Sequence, residues 1–111
     1  MLASQHRMRS TRDFQSVRRN GKKVLIPGLV IHIYLGMYGA TPSRVGLTVG
    51  KDCGNAVQRH RVSRRVRATM GPVLGLLPAG TGLVVKALPQ VHTLDLDPEV
   101  ITEALLLKVN R

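Results

Sequence analysis

The chain has 111 residues, 17 Lys or Arg, six Asp or Glu, one Cys and three aromatics, with a formal net charge of +11. This is one domain by size; with so few aromatics its core is built from Val, Leu and Ile, and a lone Cys53 excludes an internal disulfide. The charge is uneven: residues 1–67 carry fourteen Lys/Arg and two acids, net +12, whereas residues 68–111 carry three and four, net −1. That imbalance suits a polyanionic partner, because each neutralised phosphate releases counterions. No apolar run approaches the ~18 residues of a membrane span, and the start lacks a signal-peptide core. Together with the single cysteine, this makes the cytoplasm the expected compartment.

In chain order, residues 1–10 are a candidate flexible basic arm carrying Arg7 and Arg9. Residues 12–20 read as a short helix, capped by Ser10 or Thr11, with Phe14 and Val17 on one face and Asn20-Gly21 as the stop. Phe14 suits either core or a stacking platform. Residues 28–35 (G-L-V-I-H-I-Y-L) read as a strand. Leu29, Ile31, Ile33 and Leu35 form its core face; Val30, His32 and Tyr34 form a mixed face, either wet or ligand-facing. A Gly/Pro loop over 36–43 leads to a second strand at 44–50 with Val45, Leu47 and Val49 inward. The spacing predicts a hairpin between these two strands, with Val24–Ile26 as an added short piece.

A helix is predicted over 55–70 on the stripe Val62, Val66 and Met70, extended by Ala56 or Val57, and ended by Gly71-Pro72. A helical turn and a loop follow, then a buried strand at 82–88 interrupted by Lys86. A last helix at 98–108 is capped by Asp97 with Pro98 at its first position. Ile101, Ala104, Leu105 and Lys108 line one side of it, with Val100 and Leu107 flanking. If the strands on either side of the long helix are parallel, they form a βαβ unit.

The stretch from Lys51 to Arg67 holds six Lys or Arg and one acid. Arg61, Arg64 and Arg65 share a turn, Arg67 follows, and Arg59 opens the series near a helix N-terminus that itself favours anions. Gly54 would let backbone approach a phosphate, and Asn55 would cap. A merely solvated face or a membrane-surface helix are the alternatives; the first leaves five arginines without acid partners, and the second needs the apolar stripe that the core uses. By contrast, the four histidines show no metal-ligand spacing, no carboxylate pair lies in the basic half, and no phosphate loop or Ser-His-Asp set is legible. Metal and nucleotide sites are therefore not expected on the protein, and a stand-alone metal-dependent nuclease is disfavoured. A small basic ribosomal or general RNA-binding protein remains the alternative reading.

The run Lys51-x-x-Gly54-Asn55-Ala56-Val57-x-Arg59-His60-Arg61-Val62-Ser63-Arg64-Arg65-x-Arg67 resembles the signature of the bacterial ribonuclease P protein subunit. The opening R-M-R-S-T-R-D-F-Q-S-V-R-R-N-G and the strand R-V-G-L-T-V-G-K before the signature are similar to that family as well. His60 stands where the family usually has Asn, Ser63 where it has Lys, and Arg18 where a second aromatic is frequent. The resemblance implies an α+β sandwich of order α-β-β-β-α-β-α, ribosomal protein S5 domain 2-like, with a left-handed βαβ crossover. It implies a subunit that assists a catalytic RNA in cutting the 5′ leader from precursor tRNA with magnesium bound by the RNA–protein holoenzyme, inactive alone, and monomeric within the ribonucleoprotein. Lys51, Asn55, Arg59, His60, Arg61, Arg64, Arg65 and Arg67 would face the catalytic RNA. Phe14, Arg18, Val30, His32, Tyr34 and Lys86 would line the leader cleft.

Overall fold

The computed structural model describes residues 4–109. Helix α1 (Thr11–Asn20) is followed by β1 (Lys22–Ile26), β2 (Leu29–Tyr34), β3 (Arg44–Val49), α2 (Ala56–Leu76), β4 (Gly82–Ala87) and α3 (Pro98–Val109). The order matches the expected α-β-β-β-α-β-α. The four strands form one mixed sheet in the order β1-β2-β4-β3. β1 and β2 pair antiparallel across Pro27-Gly28, where Gly28 takes φ +81°, as the third residue of a type II turn requires.

The predicted hairpin between residues 28–35 and 44–50 does not form. β4 lies between them, antiparallel to β2 and parallel to β3. The reason is burial on both sides: Leu83, Val84 and Val85 are all fully enclosed, so β4 takes the centre of the sheet and β3 is left at an edge. The strand–helix–strand unit β3–α2–β4 is thereby parallel.

One sheet face carries Leu29, Ile31, Ile33, Leu83, Val85 and Ala87 into a core closed by Val62, Val66, Met70, Val73 and Leu74 of α2 and Ile101 and Leu105 of α3. α2 runs through Pro72 rather than stopping there. An interior proline costs roughly 3 kcal/mol. Continuing buries Val73, Leu74 and Leu77, each worth about 1.5–3 kcal/mol, so packing outweighs the lost hydrogen bond. Val57 does not extend the stripe; it is 69% exposed, as the first turn of α2 projects beyond the core. Leu35 falls just past β2 and is exposed.

The N-terminal arm is largely docked. Arg7 bridges to Val45 alongside β3, the Met8 amide donates to the Val45 carbonyl at 2.8 Å, and Met8 is buried. His6 Nδ1 lies 2.9 Å from the Ser43 carbonyl oxygen. Residues 1–3 of the expected arm lie outside the described residues. The arm is ordered because β3 is an edge strand whose free groups accept a further segment.

Candidate RNA-facing surfaces

The second face of the sheet is only partly covered. Strand register sets three rows of side chains on it: Arg44, Gly82 and Tyr34; Gly46, Val84, His32 and Lys23; Thr48, Lys86, Val30 and Leu25. α1 seats itself over the first row and the Gly46 and Val84 end of the second because glycines make room. A β-carbon at Gly46 would collide with the Phe14 ring, and one at Gly82 would lie 3.1 Å from Val17 Cγ2. Val17, Val84 and Met8 form a small second core there, with Phe14, Tyr34, Met37 and Tyr38 packed against it. Ser10 caps α1 by accepting from the Asp13 amide at 3.4 Å, and Asp13 in turn accepts from the Tyr38 hydroxyl at 3.0 Å. Burial and that bond push the Tyr38 phenol well above its ordinary range. The Arg44 guanidinium stands over the Tyr38 ring at 5.6 Å, so the loop after β2 is tied to β3 through Arg44 and to α1 through Asp13.

The third row stays open. Val30 is half-buried, and Lys86 and Leu25 are exposed. Arg18 closes the cleft from above: its Nη2 donates to Thr48 Oγ1 at 3.3 Å and its Cζ lies 6.0 Å from the Phe14 ring centre. Arg18 thus holds its guanidinium at the outer edge of cation–π range of the Phe14 ring. Burial, then Lys23, then Arg18 hold His32 below the usual imidazole range. Of the residues predicted for the cleft, Arg18, Val30, His32 and Lys86 line its open part. Phe14 forms its wall and, like Tyr34, is partly buried against the second core. Thr48 and Leu25 join the cleft unpredicted; only the register of β3 and β1 against their neighbours could have placed them.

The other surface belongs to α2. Asn55 and Gln58 form a reciprocal capping box, Gln58 N to Asn55 Oδ1 and Asn55 N to Gln58 Oε1, both at 2.9 Å. Gly54 serves this cap: it has φ +117°, and the folded-back Gln58 side chain fills the space a β-carbon would need. Lys51, in the short 3-10 helix Lys51–Cys53, is exposed beside it. Cys53 is buried; burial and then Asp52 push its thiol up, and it donates to the Ala87 carbonyl at 3.5 Å, a packing role.

α2 contains no acid. His60, Arg61, Arg64, Arg65 and Arg67, together with Arg7 from the docked arm, line a groove of about 860 Å³. A smaller hollow of about 290 Å³ brings Arg67 together with Arg7, Arg9 and Phe14 across the β3 edge, joining groove to cleft. The Nε–H groups of Arg7 and Arg59 are buried with no hydrogen-bond partner among the described residues, a costly arrangement for a donor. Arg65 differs from its neighbours. Its Nη1 donates to the Val91 carbonyl at 2.8 Å and its Nη2 to the Leu94 carbonyl. The guanidinium is therefore a clamp on the 3-10 helix Pro89–Thr93, which His92 also anchors through Nε2 at 2.6 Å from the Cys53 carbonyl oxygen.

Two cationic surfaces meeting at one sheet edge define the class: a small basic α+β protein shaped to meet a polyanion on both sides of β3. Comparison with known proteins narrows this. The family model described as Ribonuclease P matches residues 2–106. The ribonuclease P protein component of Mycolicibacterium paratuberculosis is 41% identical over 96 residues, covering 84% of this chain and 81% of that protein. That of Corynebacterium diphtheriae is 36% identical, covering 100% of this chain and 98% of its own. Among solved structures, the ribonuclease P protein of Thermotoga maritima superposes with a TM-score of 0.69 at 27% identity, covering 95% and 96% of the two chains. The Staphylococcus aureus protein shares the fold with a TM-score of 0.69 at 22% identity, over 95% and 93%. The chain belongs to the ribonuclease P protein family, and is a subunit of that ribonucleoprotein enzyme.

No helix among the described residues is long and apolar enough to cross a membrane. Among them, too, no group of three or more His, Cys, Asp and Glu could hold a metal ion.

Proposed function

We propose that the protein grips the catalytic RNA of ribonuclease P with the α2 groove and the 5′ leader of precursor tRNA with the open sheet face. It thereby promotes endonucleolytic removal of the leader in tRNA 5′ maturation. The observation that carries this reading is the groove lined by Arg7, His60, Arg61, Arg64 and Arg67 along a helix that holds no acid. The planar forks of Arg61, Arg64 and Arg67 suit phosphate oxygens. Arg65 contributes by holding the Pro89–Thr93 segment against α2. His60 lines the groove and Lys51 is exposed near the start of α2, where both would add contacts to the RNA backbone, while Asn55 acts as the helix cap.

On the sheet face, Lys86 and Arg18 supply charge, and Phe14, Val30 and His32 supply flat or apolar surface. Single-stranded RNA is held by that mixture. Magnesium supplies the hydrolytic chemistry of the holoenzyme. The arginine-lined surfaces repel cations and do not fit it, so its ligands are assigned to the RNA. The protein's own share is binding and orientation.

The test is cleavage of a precursor tRNA by a bacterial ribonuclease P RNA at low magnesium, with and without the protein. Faster cleavage at the mature 5′ end, and none from the protein alone, is expected. Salt-sensitive RNA binding without stimulation would instead favour a general RNA-binding role without linked catalysis.

A further inference from the structure

The hollow at the edge of β3 has walls of two kinds. Arg7 and Arg9 from the arm and Arg67 from α2 make one; Met8, Leu47 and the Phe14 ring make the other, and no Asp or Glu lines it. Arg7 and Arg67 also line the α2 groove, and Phe14 is the wall of the cleft, so the hollow is the passage between the two surfaces. Its volume of about 290 Å³ stands at the small end of ligand pockets, roughly 300–1,000 Å³, with room for one small ligand. The backbone adds two polar groups. The Met8 amide donates to the Val45 carbonyl, so the Val45 peptide groups turn toward the arm, whereas the Arg44 amide donates to the Thr81 carbonyl on the β4 side. Peptide groups alternate in direction along a strand, so the N–H and C=O of Leu47 face the arm side as well. The arm pairs with β3 at Arg7 and Val45 and then leaves to start α1, which Ser10 caps. Leu47 therefore presents one donor and one acceptor to the edge that the arm has vacated.

We infer that this hollow is the seat of one unpaired nucleotide, where an RNA strand crosses the edge of β3. The base lies against Phe14, Met8 and Leu47 with its polar edge toward the Leu47 peptide groups, and the phosphate lies among Arg7, Arg9 and Arg67. Proteins that hold splayed-out nucleotides combine these same parts: a flat or apolar platform, hydrogen-bonding groups at the base edge and cations on the phosphate. A bare anion would use the arginines alone and leave the apolar wall to water. An apolar ligand would leave three guanidinium groups facing it. The inference rests on the reading that both surfaces bind RNA, and it adds a site of defined size and chemistry between them. The nucleotide belongs either to the leader or to a single-stranded segment of the catalytic RNA.

The test is titration of the isotope-labelled full chain with adenosine 5′-monophosphate and, separately, with inorganic phosphate at constant ionic strength, followed by amide resonances. The Leu47 amide is expected to shift and saturate with the nucleotide, at concentrations about tenfold below those that phosphate requires, the factor that stacking one base supplies. Arg9→Gln and Arg67→Gln each weaken nucleotide binding about tenfold. Arg12→Gln, which removes an exposed cation outside the hollow, leaves it unchanged. Thermal melting confirms that the variants are folded. No shift at Leu47, phosphate bound as tightly as nucleotide, or equal losses in the Arg9 and Arg12 variants would each overturn the inference. These titrations use the protein without RNA, so their failure is distinct from a failure to stimulate cleavage. In the reconstituted holoenzyme, Arg9→Gln then identifies the strand. Weaker binding of precursor tRNA with unchanged assembly assigns the nucleotide to the leader, weaker assembly assigns it to the catalytic RNA, and no change in either would overturn the inference.

Discussion

The two faces of the sheet are made by the same strands and read in alternation, yet they do different work. On one, Leu29, Ile31 and Ile33 disappear beneath α2 and α3, and nothing polar interrupts them. On the other, Val30 and His32 stay half-buried beside an exposed Lys86, because α1 covers only the part of the sheet around Gly46 and Gly82, where space is left for it. The closed face holds the fold; the half-open face keeps charge and flat surface accessible. A period-two strand can thus keep charged and flat surface accessible on one side without weakening the core on the other, provided a small helix is seated by glycine.

The largest effect is expected where the closed face is breached. Val62→Asp places a carboxylate at a side chain 1% exposed, and an isolated buried charge costs more than a domain of this size has to spare. Loss of the cooperative thermal transition is expected; a folded protein that merely binds RNA less well would show that the inward stripe of α2 is misplaced.

Next comes the division within α2. Arg65→Ala removes two guanidinium-to-carbonyl bonds. It should cost about 1.5–3 kcal/mol of stability, the range for charged hydrogen bonds, and leave the salt dependence of RNA binding nearly unchanged. Arg61→Ala with Arg64→Ala should do the reverse. The melting temperature should hold, while the log–log salt slope falls by about 0.7–0.9 for each phosphate that is no longer neutralised. Equal slopes for both variants would erase the distinction between a structural clamp and a phosphate-binding side chain.

The smallest effect belongs to His32. Its folded pKa lies below the ordinary imidazole value through burial, Lys23 and Arg18. In the window beneath the unfolded value of ~6.5 the unfolded chain binds more protons than the folded one. Stability should therefore rise with pH through that window and be complete above it. His32→Gln should flatten this slope between about pH 5 and 7 relative to the parent chain. Thermal melts across that range would reveal it, and identical slopes would deny the cause.

Much of the fold and the site was legible in the residues. The signature from Lys51 to Arg67 carried the family, and alternation in residues 29–34 separated core from cleft. What was not legible depended on long-range competition. The loop at 36–43 is short enough for a hairpin, and nothing local says that β4 will claim the edge of β2; the clue lay in the uninterrupted Leu83-Val84-Val85. Pro72 is a local stop signal overridden by the burial of three later side chains. Arg65 looks identical to Arg64 in sequence, and only the position of the Pro89–Thr93 carbonyls separates a clamp from a free cation. The seat of Phe14 rests on an absent side chain, at Gly46, which no periodicity records.

The most direct measurement compares precursor tRNA with mature tRNA for affinity to the reconstituted holoenzyme, in the parent protein and in Lys86→Ala. Lys86 is exposed on the half-open face, so the melting temperature should not move. Affinity for precursor should fall several-fold, as expected for removal of an interaction worth about 1 kcal/mol, while mature tRNA is bound as before. An unchanged preference for the leader-bearing RNA, or an equal weakening for both, would contradict the assignment of the half-open face to the leader.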